Sequence, residues 1–299
     1  MQMRAFSRHF AAAVRVALVA TCVAWSVPVS AKSPAGTFRD CPECPLMATV
    51  PAGSFDMGSA VANEGNGDEV PRRRVTFAKP FAVGIHEVTR GEFARFVTAT
   101  GFDAGNDCNV LVNEEWQVTP GLKWSNPGFE QTDNEPVVCV NWPAAKAYAE
   151  WVAKRSHRPY RLVSEAEWEY VARLGGIADA PSHDTVNYGA ETCCQGLRQG
   201  NDRWLHTAPV GSFAPDRFGL HDVLGNVWEW LEDCYHESYE GTPTDGSART
   251  TNCSGADRRV VRGGGYGDAA WLLRPGYRLR GPFDARYATL GFRVAQTLH

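Results

Sequence analysis

The chain has 299 residues, 43% of them apolar, which is enough to bury one large core. With 30 Lys and Arg against 34 Asp and Glu it lacks the basic footprint of a nucleic-acid binder. Beyond Ala31 no apolar run is long enough to cross a bilayer.

Arg4, Arg8 and Arg15 give a positive start, residues 10–27 contain no acidic side chain, and Val29-Ser30-Ala31 offers small residues to a signal peptidase. Arg15 leaves the apolar run too short for a membrane anchor, and lipidation at Cys22 is the weaker alternative. Residues 1–31 are therefore expected to be a signal peptide, 32–45 an N-terminal extension and 46–297 one domain, placed in the periplasm or secreted. Removing three arginines leaves 27 Lys and Arg against 34 Asp and Glu, a charge of −7. Eight cysteines survive cleavage: Cys41, Cys44, Cys108, Cys139, Cys193, Cys194, Cys234 and Cys253. An even count in an exported chain reads as disulfides. Cys41-Pro-Glu-Cys44 has redox and zinc readings, but with no second such pair it is expected to be a structural staple. Adjacent Cys193 and Cys194 bond each other only with strain, so each is expected to find a different partner.

Residues 48–50 and 74–77 read as strands. Thr89 caps a first helix in a box with Glu92, sets Phe93, Phe96 and Val97 on one face, and the helix ends at Gly101. After a strand at 137–140, Asn141 caps a second helix, with Pro143 in its first turn and Ala144, Tyr148 and Trp151 on one stripe. Ser164 and Glu167 box the third, which buries Trp168, Val171 and Ala172 and stops at Gly175-Gly176. Residues 291–295 form a last strand. The stretches 101–135 and 178–260 read as loops, unusually long for a soluble domain unless disulfides or metal ions hold them. Cys108 with Cys139 and Cys234 with Cys253 bracket such segments; bridges there would contribute ~3 kcal/mol each in the chain-entropy picture.

A set of ordered motifs runs through the domain. It begins Val50-Pro-Ala-Gly-Ser-Phe-Asp-Met-Gly58, Glu87-Val-Thr89 and Pro136-Val-Val-Cys-Val-Asn-Trp142. It continues Arg161-Leu-Val-Ser-Glu-Ala-Glu-Trp-Glu-Tyr-Val-Ala-Arg173, Gly219-Leu220, Gly225-Asn-Val-Trp-Glu-Trp230, Arg262-Gly-Gly264 and Leu290-Gly-Phe-Arg293. In this order, over residues 46 to 295, they resemble the formylglycine-generating enzyme, or sulfatase-modifying factor, family. The resemblance implies an α+β, C-type-lectin-like fold that is loop-rich, with little regular secondary structure.

Family members that oxidise a sulfatase cysteine hold copper(I) with two cysteines shortly after an Arg/Lys-Gly-Gly-Ser segment; soft thiolates select that ion. Here Asp268 stands where the first belongs, Trp271 or Leu272 near the second, Gly265 replaces the serine, and the last cysteine is Cys253. Copper is not expected. Related sulfoxide synthases hold iron with three histidines, but no two of the seven histidines after Ala31 lie within four residues. Loop or solvent roles are expected for His157, His183, His206, His221 and His236. Another branch matures a siderophore in the periplasm.

The resemblance implies two structural calcium sites. Asn187, the Tyr188 carbonyl, Asp202 and the Trp204 carbonyl match the first; Asp222, the Gly225 and Val227 carbonyls and Glu229 match the second. A loop can supply the hard oxygens calcium prefers, and Gly225 permits the turn that aims carbonyls inward. The alternative makes Asp222 a turn cap and Glu229 a solvated charge. The family's substrate groove maps onto Trp228, Arg262, Tyr266, Asp268, Trp271, Arg274 and Arg278, a set suited to a peptide, protein or small polar ligand. Against this, Trp228 and Trp271 also read as core and the arginines as structural ion pairs, a reading at least as strong for Trp228 and Arg262, while Asp268, Tyr266 and Arg274 carry more of the functional expectation. Three functions remain open: an oxidoreductase acting on a peptide or siderophore without the copper cysteines, a non-catalytic calcium-stabilised ligand-binding module, and an envelope accessory protein.

Overall fold

The computed structural model describes residues 36–60, 67–113, 115–176, 181–190, 195–254 and 257–298. The expected signal peptide, and Cys193 with Cys194, lie outside these residues. Thirteen strands and three helices alternate in the order β1 (Thr37–Phe38), β2 (Met47–Val50), β3 (Gly53–Met57), β4 (Arg73–Phe77), β5 (Phe81–Gly84), α1 (Arg90–Thr100), β6 (Asp107–Val112), β7 (Glu115–Pro120), α2 (Trp142–Ser156), β8 (Tyr160–Leu162), α3 (Glu165–Leu174), β9 (Trp228–Cys234), β10 (Arg258–Arg262), β11 (Leu279–Pro282), β12 (Leu290–Gly291) and β13 (Val294–Thr297). The mixed, loop-rich α+β character matches the expectation.

The three helices form where their caps place them. Thr89 accepts from the Glu92 amide while the Glu92 carboxylate accepts from Thr89, and Gly101 closes α1 at φ 67°. Asn141 caps α2 and Ser164 caps α3, the latter with the Glu167 box complete. A five-stranded sheet runs β1-β2-β5-β13-β8, and a four-stranded sheet runs β11-β10-β9-β12. Within these sheets only β9 and β12 pair in parallel. The N-terminal extension is not a mere appendage, because β1 pairs with β2 and the Cys41–Cys44 bridge lies within it.

Two expected strands are corrected. Residues 137–140 are buried but not a strand: Cys139 takes φ 56°, which breaks an extended ladder, and its sulfur bonds Cys108. The tail at 291–295 is split. Leu290 and Gly291 pair with β9, whereas Val294 onward pairs with β5 and β8. At the crossing between the sheets, the Arg293 side chain enters the core and bonds Glu229 at 2.7 Å. The expected loops are also less bare than they read, holding the β6–β7 hairpin and strand β9.

α1 and α2 bury Phe93, Phe96 and Tyr148 against Phe292. α3 buries Trp168 completely, and its Tyr170 packs among Phe55, Phe77 and Phe81. Between α3 and the four-stranded sheet lies an ionic core. Arg262 reaches Glu165 at 3.0 Å and Glu169 at 2.7 Å, while Arg278 meets both oxygens of Glu165 at 2.8 and 2.9 Å. A buried guanidinium needs its donors filled, and the carbonyls of Pro275 and Tyr277 take those left on Arg262.

Candidate functional site

The loop after β10 lays Gly265-Tyr266-Gly267-Asp268 beside the first residue of β9. Trp228 Nε1 donates to Asp268 Oδ2 at 2.6 Å, and the Gly265 amide donates to the same oxygen at 2.8 Å. The Asp268 carboxyl is 6% exposed. Burial raises its pKa and the two donors pull it back, leaving it pushed up to about 6. The position that would carry a copper thiolate is therefore filled by a carboxyl locked to an indole.

Asp268 lies against a groove of about 410 Å³, lined further by Trp116 from β7, Trp228, Trp271, Tyr277 and Arg280. Trp271 is 61% exposed and meets Tyr277 edge-on at 5.8 Å. Trp116 is 41% exposed and meets Tyr287 edge-on at 5.4 Å. Among the described residues, the exposed Trp116, Trp271 and Leu279 all line this one groove. Such clustering on a surface marks contact with something else.

The sequence-derived groove set divides. Trp228, Asp268 and Trp271 converge on the groove, and Tyr266 faces an adjoining cavity. Arg262 and Arg278 do not reach it; both are turned into the ionic core by Glu165. Arg274 is held away by its ion pair with the buried Glu69. The alternative of structural ion pairs applies to these three arginines. Trp116 and Tyr287 were missed, although Val110-Leu111-Val112 and Trp116-Gln-Val118 flank a polar turn, the pattern of a hairpin.

The expected cation positions also separate. At the second, Glu229 Oε1 bonds Arg293 at 2.7 Å and Oε2 accepts from Trp168 at 3.2 Å; Asp222 Oδ2 accepts from the Gly211 amide at 2.9 Å. Asp222 (φ 55°) and Gly225 (φ 80°) are both left-handed, which curls the loop. Glu229 is fully buried and not the solvated charge of the alternative, whereas Asp222 does take a backbone amide as a cap would. The missed residue is Glu87, 1% exposed, with no hydrogen-bond partner on either carboxylate oxygen. Burial raises its pKa well above the ordinary range, and Asp222 raises it further. An orphaned buried carboxylate is what a hard cation would relieve, so Glu87 fits calcium, whereas both Glu229 oxygens are already occupied by Arg293 and Trp168. Among the described residues no three His, Cys, Asp or Glu side chains form a metal site by themselves, so backbone carbonyls would have to share the coordination.

At the first position, Asn187 Oδ1 is buried without a partner. Asp202, however, already accepts from the amides of Tyr188 and Trp204, each at 3.2 Å, and contacts His183 Nδ1 at 3.1 Å. The fit is poorer there. His183 and His236 lie in loops as expected, but buried in them; His236 lies between the carbonyls of Cys234 and Thr251, each at 3.0 Å. The two loop-closing bridges, Cys108–Cys139 and Cys234–Cys253, are both present.

Comparison with known proteins places this geometry. The description "Sulfatase-modifying factor enzyme 1-like domain" matches residues 34–298. The formylglycine-generating enzyme of Streptomyces coelicolor is 33% identical over 312 residues, covering 89% of this chain and 96% of that protein. The one from Thermomonospora curvata is 34% identical, covering 69% and 80%. Among solved structures, PvdO from Pseudomonas aeruginosa aligns with a TM-score of 0.75 at 36% identity, covering 90% of this chain and all of that one. The Treponema denticola variable protein 1, at 20% identity and a TM-score of 0.63, shares the fold.

Proposed function

This chain belongs to the sulfatase-modifying factor 1-like family, and we propose that it is an exported member that binds a peptide-like ligand in the Trp228–Asp268–Trp271 groove and does not make formylglycine by copper–thiolate chemistry. The observation that carries the reading is the Asp268–Trp228 contact at 2.6 Å, flanked by the exposed Trp271. The indoles supply flat area for stacking, and the carboxyl supplies a polar anchor for a backbone or cationic group. Calcium, held by Glu87, Asp222 and the neighbouring carbonyls of Gly225 and Val227, would cross-link the loops behind the groove. The mature protein would work in the periplasm or outside the cell.

A second reading, an oxidoreductase acting on a bound peptide or siderophore, draws on the same carboxyl. With a pKa of about 6 at the groove wall, Asp268 is suited to holding or taking a proton near neutral pH.

Calorimetric titration of the mature protein with a random hexapeptide pool tests the binding reading. Heat of binding that disappears in Trp271→Ala and Asp268→Asn supports it; identical heats in all three proteins refute it. Elemental analysis after purification without chelator separates the two readings. Calcium without copper or iron supports the binding module, whereas copper or iron near one per chain supports the oxidoreductase.

A further inference from the structure

A second cavity of about 710 Å³ adjoins the groove and shares Trp116 and Thr289 with it. On one side the rings of Phe129 and His206 stack face to face, 4.2 Å apart and within 5° of parallel. Tyr266 meets both edge-on, at 5.9 and 5.5 Å. Leu205, 44% exposed, stands at the lining on the solvent side.

No Asp, Glu, Lys or Arg is among the described residues lining this cavity. Burial lowers the pKa of His206, more than Glu135 raises it, so the ring is neutral at pH 7. The remaining polar groups include the uncharged amides of Asn113 and Gln195 and the Thr289 hydroxyl. The groove beyond Trp116 differs in kind, since it carries Asp268 and Arg280. A charged group entering this cavity would lose hydration with no counter-charge among the described lining residues to offset it. A neutral ring would gain edge and face contacts and keep hydrogen bonds at its rim.

We infer that the Phe129–His206–Tyr266 cavity is a subsite for an uncharged planar ring carried by the same ligand that occupies the groove, the connecting chain crossing between Trp116 and Thr289. The inference rests on the groove reading and narrows its ligand to a peptide bearing a neutral ring.

The test uses N-acetyltryptophanamide and N-acetyltyrosinamide as probes, with N-acetyllysinamide as the charged control, in saturation-transfer NMR titrations of the mature protein. Leu205→Trp narrows the cavity from an exposed position, and His206→Ala removes half of the stacked wall; thermal melts confirm that each is folded. The expected result is that both ring amides bind wild type and bind about tenfold more weakly to Leu205→Trp and His206→Ala, a larger loss than in Trp271→Ala. Any binding of the lysine amide should be unchanged in Leu205→Trp and His206→Ala. Ring binding lost in Trp271→Ala but kept in Leu205→Trp would place the ring in the groove and overturn the inference while the groove reading stands. Lysine-amide binding lost in Leu205→Trp and His206→Ala to the same extent as ring binding, or no ring binding at millimolar concentration, would also overturn it. The hexapeptide titration reports separately on the groove.

Discussion

Trp228 Nε1 and Asp268 Oδ2 lie 2.6 Å apart although forty positions separate them in the chain. The contact joins the start of β9 to the loop after β10. It fixes the carboxyl in a place where water scarcely reaches, and the acidity of Asp268 follows from that confinement.

Because burial raises the Asp268 pKa from 3.8 to about 6, its folded form holds a proton more tightly than its unfolded form. Its contribution to stability is complete below about pH 4 and is lost as pH rises through about 6. Asp268→Asn keeps an oxygen that can accept from Trp228 and Gly265 but cannot ionise. The stability of this variant relative to wild type should therefore rise by about 2 kcal/mol between pH 4 and pH 7. Urea midpoints at the two pH values measure the difference, and a constant offset would refute the assignment.

Chelation should lower the melting temperature. A bound ion at a hundredfold excess over its Kd stabilises by about 2.7 kcal/mol. Glu87→Gln should reduce the response to EGTA by at least half, because the orphaned carboxylate is the oxygen source with no other partner. If Glu87→Gln stabilises the protein and leaves the EGTA response unchanged, Glu87 holds no ion.

Arg262→Met should cost about 3 kcal/mol, since it removes the guanidinium shared by Glu165 and Glu169 and leaves them only Arg278 and Arg173. Arg262→Lys should recover little of this, because one ammonium cannot serve two carboxylates and the carbonyls of Pro275 and Tyr277 in the same geometry. Guanidinium denaturation of both variants is the measurement. A loss below 1 kcal/mol in the methionine variant would show the ionic core to be dispensable.

Replacing Cys234 and Cys253 together by serine should remove about 3 kcal/mol, the chain-entropy value for a loop of this size. Ligand binding should persist in the folded fraction, since neither sulfur lines the groove or the cavity beside it. Melting curves and titrations on the same preparation separate the two effects.

Caps made the helices legible: Thr89, Asn141 and Ser164 each declare a helix start through local chemistry that a sequence displays directly. Strands β9 and β10 were hidden because buried charge interrupts their apolar pattern. Glu229, Glu232 and Asp233 sit in β9, and Arg262 ends β10, each satisfied by a partner far away in the chain. Trp228, Asp268 and Trp271 could be placed through the motif order. Arg262, Arg274 and Arg278 could not, because whether a guanidinium faces a groove or a core depends on where Glu69, Glu165 and Glu169 lie. Glu87 escaped notice for the opposite reason, since an unmet hydrogen-bonding need appears only when the surrounding atoms are known.

The Cys108–Cys139 bridge ties β6 to the segment beneath it, and through the hairpin it steadies Trp116, the wall common to groove and cavity. Chains kept in a reducing cytosol would form their helices and sheets but hold that wall on a loose hinge. The shape of the groove and of the cavity beside it therefore depends on the oxidation state of one cysteine pair that touches neither.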